Sequence, residues 1–111
     1  MQKKKTKKSA AQIKRITIRK ALKAWSLEVR RRDGSCAVCG RTEHLNAHHL
    51  IPKENFKDFQ LEVNNGLALC PKCHKFGAFS FHKHPMWAAR WLAMNKPEQY
   101  AWIMERIEYE S

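Results

Sequence analysis

The 111-residue sequence predicts a small α+β fold: a basic N-terminal helix, a short metal-stapled centre and helices at the C-terminal end. Three observations carry this. From Ala10 to Arg32 no Gly or Pro interrupts a helically spaced apolar series. Short apolar stretches bounded by turn residues follow, at 45–51 and 67–69. Two CxxC pairs, Cys36-Ala37-Val38-Cys39 and Cys70-Pro71-Lys72-Cys73, lie 30 residues apart.

Residues 1–9 read as a disordered basic tail, and 10–111 as one domain. Within it the core is expected at 34–84, with helical flanks at 10–33 and 85–109. In the first helix Ile13, Ile16, Leu22, Trp25 and Val29 recur at helical spacing. Lys14, Arg15, Arg19, Lys20, Lys23 and Arg30 fill the positions between. Arg30, Arg31 and Arg32 suit the negative end of the helix dipole, and Gly34 is the expected C-cap.

A CxxC turn comes next, then a strand over Leu45–Ile51 carrying His48 and His49. From Pro52 to Val63 the chain reads as a loop anchored by Phe56, Phe59 and Leu61. Asn64-Asn65-Gly66 signals a turn. Pro71 fits the first position of a short helix that puts Cys73 and His74 in its first turn, and Gly77 ends or bends it. A helix from His84-Pro85 to about Met94 places Trp87, Trp91 and Leu92 on one side. The last, Glu98 to about Glu108, aligns Tyr100, Ile103, Met104 and Ile107. These aromatics read as core.

Charge is unevenly spread. Residues 1–32 hold 13 Lys/Arg and one acid, Glu28; residues 33–111 hold nine of each sign. The whole net charge of +12 therefore sits in the tail and first helix. That concentration points to a polyanion, with nucleic acid foremost; a merely solubilising tail is the bland alternative. No apolar stretch of signal length follows the Lys-rich start, and no run of about 18 apolar residues could span a membrane. The reading is a cytoplasmic chain with reduced thiols, so the cysteines are metal ligands rather than disulfides.

Cys36, Cys39, Cys70 and Cys73 can surround one zinc, since each CxxC turn presents two sulfurs to one ion. With all four positions filled such a zinc is structural, and any chemistry lies elsewhere. The redox alternative for CxxC lacks a thioredoxin-like βαβ pattern. His48, His49 and His74 form a second cluster. Neighbours on a strand point to opposite faces, so both histidines serve one site only where the strand ends or bulges. One imidazole could then hold a metal while the other takes a proton from water. His74 follows a zinc ligand and is placed by it. The rival reading makes His48 and His49 surface residues, and Asn65 merely part of an Asn-Gly turn.

His48-His49-Leu50-Ile51-Pro52, Asn65-Gly66-Leu67-Ala68-Leu69-Cys70 and Cys73-His74 together resemble the HNH endonucleases with a ββα-metal (His-Me finger) active site. The closest subtype is similar to small, four-cysteine, often phage-encoded members, and the resemblance runs from about Asp33 to His84. It implies a metal-dependent DNA endonuclease leaving 5′-phosphate and 3′-hydroxyl ends. His48 falls at a metal-ligand position that is often Asp in the family, His49 at the general base, and Asn65 at the residue bracing the hairpin and the base. His74 falls at the second ligand. Some relatives add a third histidine, usually at shorter spacing, which makes His82 a candidate. The His at 48 shifts metal preference from Mg²⁺ toward Ni²⁺, Zn²⁺ or Mn²⁺.

The expected partner is DNA, duplex or branched, held by its phosphates through Lys14, Arg15, Arg19, Lys20, Lys23, Arg30 and Arg31 with weak sequence specificity. Both a monomer and a dimer are compatible with the sequence. The competing classes are a non-catalytic zinc-finger-like DNA-binding module and a structure-selective or RNA nuclease.

Overall fold

The computed structural model describes residues 7–54 and 57–108; Lys3, Lys4, Lys5 and Phe56 lie outside them. The first helix, α1, spans Ala10–Asp33. A capping box starts it. Ser9 Oγ accepts from the Gln12 amide at 3.2 Å, and Gln12 Oε1 accepts from the Ser9 amide at 2.8 Å. Gly34 ends it at φ 69°, its N–H on the Arg30 carbonyl, as the sequence predicts.

Only the second half of α1 behaves as its periodicity suggests. Trp25 and Val29 are buried, whereas Ile13 is 53% exposed. Helical spacing marks one stripe along the whole helix, but the core reaches only part of it.

Strand β1 is Asn46–His49 and β2 is Gly66–Leu69. They pair antiparallel, with His48 opposite Leu67 and His49 opposite Gly66. The expected strand over Leu45–Ile51 is thus four residues long and ends at the second histidine. Every residue of β2 is buried. Gly66 permits this: a Cβ there would lie 2.4 Å from Val29 Cγ2 and 2.7 Å from Trp25 Cζ2. Only a glycine lets α1 lie this close to the sheet.

The last turn of α1 is bonded to β2. Arg32 donates to the Val63 and Gly66 carbonyls at 2.8 and 2.7 Å, and Asp33 accepts from the Ala68 amide at 2.8 Å. Arg32 is therefore a structural clamp as well as a dipole partner.

After β2 comes a single π-helical turn, Lys72–Phe76, closed by Gly77. Helix α2 spans Pro85–Asn95 and α3 Pro97–Arg106, each opened by its proline. His84 caps α2, Nδ1 accepting from the Trp87 amide at 3.2 Å. Ile51, Leu67, Leu69, Phe81, Ala88, Leu92 and Ile103 share one core with Cys36, Cys70 and Cys73. Trp87, Trp91, Tyr100 and Trp102 pack against it, in keeping with a core role for the aromatics.

One side-chain placement differs from expectation. Leu61 is 42% exposed and anchors nothing, whereas Phe59 meets Trp102 edge-on. Tyr100, Ile103, Met104 and Ile107 line one groove along α3 and its C-cap, in keeping with their alignment, and Met104 and Ile107 are exposed there. Among the described residues no helix is long and apolar enough to cross a membrane.

Candidate active site and metal centres

The two CxxC turns meet. The Sγ atoms of Cys36, Cys39, Cys70 and Cys73 all lie within 4.8 Å of one another, with Cys39 and Cys70 at 3.6 Å. A tetrahedral zinc with bonds of about 2.3 Å separates its sulfurs by about 3.8 Å, so the spacing fits. None of the four is in a disulfide. Their protonation also fits. Burial raises Cys36, but amides of Cys39, Cys70 and Val38 outweigh it and bring the thiol down to about 7. Burial and the neighbouring thiols push Cys73 up. Four sulfurs so close cannot all ionise without a cation among them, and a divalent metal removes that conflict.

A second cluster sits at the edge of the sheet. His74 Nε2 lies 3.2 Å from His48 Nδ1 and 3.1 Å from His82 Nε2. The backbone explains how His82, eight residues after His74, arrives there. Past Gly77 the chain turns back, and the amides of Phe81 and His82 bond the carbonyls of Cys73 and His74 at 2.9 and 3.0 Å. The turn that carries Cys73 therefore positions both His74 and His82, while His84 is occupied as a helix cap.

One proton on His74 Nε2 can satisfy only one of its two nitrogen neighbours. A metal satisfies all three. Bonds of about 2.1 Å at right angles separate ligand nitrogens by about 3.0 Å, close to the two spacings found. Burial, then the neighbouring rings, holds His48 down to about 3. Burial and the charges of His82 and Lys75 hold His74 down to about 4. Both are neutral at physiological pH, as ligands must be.

His49 points elsewhere, as strand alternation requires. Its ring lies flat on Trp25, with centroids 3.8 Å apart and planes 8° from parallel. Its Nε2 is 2.9 Å from the Gln60 carbonyl. A carbonyl only accepts, so Nε2 carries the proton and Nδ1 keeps the free lone pair. Burial lowers its pKa, against the opposing pull of that carbonyl. The ring is thus a neutral base with its acceptor edge directed away from Gln60.

Asn65 is fully buried. Its Oδ1 accepts from the Ile51 amide at 2.6 Å, and its Nδ2 donates to the Ile51 and Phe59 carbonyls at 3.2 and 3.1 Å. It cannot touch a substrate. It ties the end of the histidine strand to the 59–60 segment whose next carbonyl holds His49. That geometry makes it a brace, and the turn-only reading of Asn-Gly does not account for it.

Residues 36–76 match the HNH endonuclease family. The chain carries an HNH domain. No curated protein and no solved structure matches the chain. Two antiparallel strands followed by a short helical turn, with a four-cysteine cluster alongside, agree with the ββα-metal fold of that family. The matched stretch contains the cysteines, His48, His49, Asn65 and His74, but neither Trp25 nor His82.

The basic residues of α1 divide by environment. Lys14 and Arg15 line a groove between α1 and the 57–60 turn, with Ile18, Lys57, Asp58 and Gln60. Arg15 and Arg19 line a neighbouring hollow with Lys8 and Gln12. Lys20 and Lys23 are exposed. Arg30 bonds the Ser26 carbonyl, and Arg31 pairs with Glu28, which uses part of its charge locally. Two contributors to the site have no sequence signal of their own. Gln60 acts through its backbone carbonyl, and Trp25 is indistinguishable by spacing from any core residue of an amphipathic helix.

Proposed function

We propose that the HNH domain makes this chain a metal-dependent DNA endonuclease, with residues 10–111 acting as one domain. The observation that carries this reading is His49: a neutral imidazole with one nitrogen tied to a carbonyl, next in sequence to a member of the three-histidine cluster. His49 Nδ1 takes a proton from water as its oxygen bonds to phosphorus. The bond from phosphorus to the 3′ oxygen breaks, leaving 5′-phosphate and 3′-hydroxyl ends; the leaving oxygen takes its proton from solvent. His48, His74 and His82 would hold the divalent metal, whose charge would stabilise the crowded phosphate and the departing oxygen. An all-imidazole set favours Ni²⁺, Zn²⁺ or Mn²⁺ over Mg²⁺. The four cysteines would hold a structural zinc.

Asn65 positions the base through Ile51 and Phe59. Lys14, Arg15, Arg19, Lys20 and Lys23 hold DNA phosphates, and Arg30 and Arg31 contribute less because of their local partners. Phosphate recognition carries no sequence information, so specificity is weak.

Plasmid nicking with and without chelator tests the reading, using the wild-type chain and His49→Ala. The variant should lose at least about 10²-fold in rate while keeping its zinc, fold and DNA affinity. Near wild-type cleavage by His49→Ala would remove the base. DNA binding with no cleavage under any divalent metal would leave a non-catalytic binding module. A parallel panel of RNA, nicked DNA and four-way DNA defines the substrate.

A further inference from the structure

We propose that Trp25 is a positioning residue for His49, so that the basic helix which docks DNA also aligns the base. This rests on the nuclease reading of His49 but adds a residue outside the matched stretch.

An imidazole on a strand end can turn about its Cβ–Cγ bond. Two things must be set for it to act as a base: the plane of the ring, and which edge faces the water. The Gln60 carbonyl sets the edge, since only Nε2–H can bond to it. That bond alone does not hold the ring: a swing of its plane breaks the bond and releases the tautomer. The Trp25 face removes the swing: at 3.8 Å and 8° the indole admits only a parallel imidazole. A perpendicular ring would drive its edge into the indole.

Trp25 is itself held. It is 5% exposed, and its Nε1 donates to the Glu62 carbonyl at 2.7 Å. The indole therefore bonds the same loop that supplies Gln60 and Phe59, and Asn65 bonds that loop at Phe59. Trp25, the 59–62 segment and Asn65 form one frame around His49. Packing under Gly66 alone would need a large apolar group there, but not a parallel stack or a bonded Nε1.

The stack also suits the reaction. As His49 takes the proton its ring becomes cationic, and an indole face attracts a cation. The stack thus strengthens as the base does its work.

The test compares Trp25→Leu with Trp25→Phe in the metal-loaded protein. Readouts are kcat and KM on duplex DNA, zinc content, and the ¹⁵N shifts of the His49 ring, assigned with His49→Ala. In wild type the ring should show a single Nε2–H tautomer. Trp25→Leu should show both tautomers and lose about tenfold or more in kcat, because small misplacements of a reacting group cost that much. Its KM and zinc content should stay put. Trp25→Phe keeps an aromatic face and should retain most of kcat and a single tautomer.

A folded, zinc-replete Trp25→Leu protein with wild-type kcat and one tautomer would overturn the proposal. Should Trp25→Leu fail to hold zinc, the decision passes to wild type and Trp25→Phe. Mixed tautomers in wild type, or a Trp25→Phe loss as large as that of His49→Ala, would then overturn it. A wild-type chain that cuts no DNA would sink the nuclease reading alone, since the ring measurement still reports whether Trp25 locks His49.

Discussion

The cysteine cluster and the histidine cluster share one turn of chain, yet their surroundings are opposite. Three of the four cysteines are buried, and all four sulfurs lie within 4.8 Å of one another. The histidines are half-buried or exposed, and their ring nitrogens also lie within 4.8 Å of one another. Cys73 and His74 are adjacent, so the closed cluster fixes the direction of the open one. The pair teaches a division of labour. An ion saturated by the four sulfurs would contribute folding energy and no chemistry, whereas one held by the three histidines could still accept oxygens.

The largest effect that could break this comparison is on the cysteine side. Cys39→Ser should release zinc and remove the cooperative thermal transition, taking the histidine site with it. Calorimetry with metal analysis checks this. An unchanged transition in a zinc-free protein would show that the histidines do not depend on the zinc.

Gly66→Ala probes the joint between α1 and the sheet, where His49 and Trp25 meet. The added methyl group would collide with Val29 and Trp25. Overpacking of this kind costs about 1–3 kcal/mol, so denaturant midpoints should fall accordingly. Cleavage should fall further than stability explains, because α1 is pushed away from the base. Wild-type stability would mean that α1 is not held against β2 as described.

His82→Ala sharpens the histidine side. Metal titration of the zinc-replete protein should show at least about tenfold weaker binding, about 1.4 kcal/mol. His74→Ala should remove the site, since His74 touches both other rings. An unchanged titration in His82→Ala would reduce the set to two histidines.

The smallest effect concerns the tail. Deleting residues 1–9 removes five lysines and the Ser9 cap. DNA affinity should fall, and its salt slope should shrink by about 0.9 for each phosphate that the shortened chain no longer neutralises. Identical slopes would make the tail a solubiliser.

Much of the site was legible because its chemistry lies in side chains at telling spacings. The CxxC pairs come together and His74 meets His48, but His49 turns away from that cluster onto Trp25. Strand alternation also foretold that His48 and His49 would face different neighbours, and the strand does end there. What could not be read depends on backbone paths. The return of His82 rests on two amide–carbonyl bonds, and the hold on His49 rests on a carbonyl that any residue at 60 would offer. Periodicity also misled at Ile13, since a helical stripe does not say where the core stops. Asn65 is an intermediate case. Asn-Gly looks like an ordinary turn until the buried amide is seen bridging Ile51 and Phe59.

Selective chelation tests the two-cluster account most directly. The metal-loaded protein is dialysed against a weak chelator, and bound metal, melting temperature and plasmid nicking are followed together. One ion per chain should leave first, abolishing nicking while the melt is nearly unchanged. The second should leave only under strong chelation, together with the cooperative melt. Loss of both ions in a single step, or loss of the melt with nicking intact, would contradict the division between a structural cysteine site and a working histidine site.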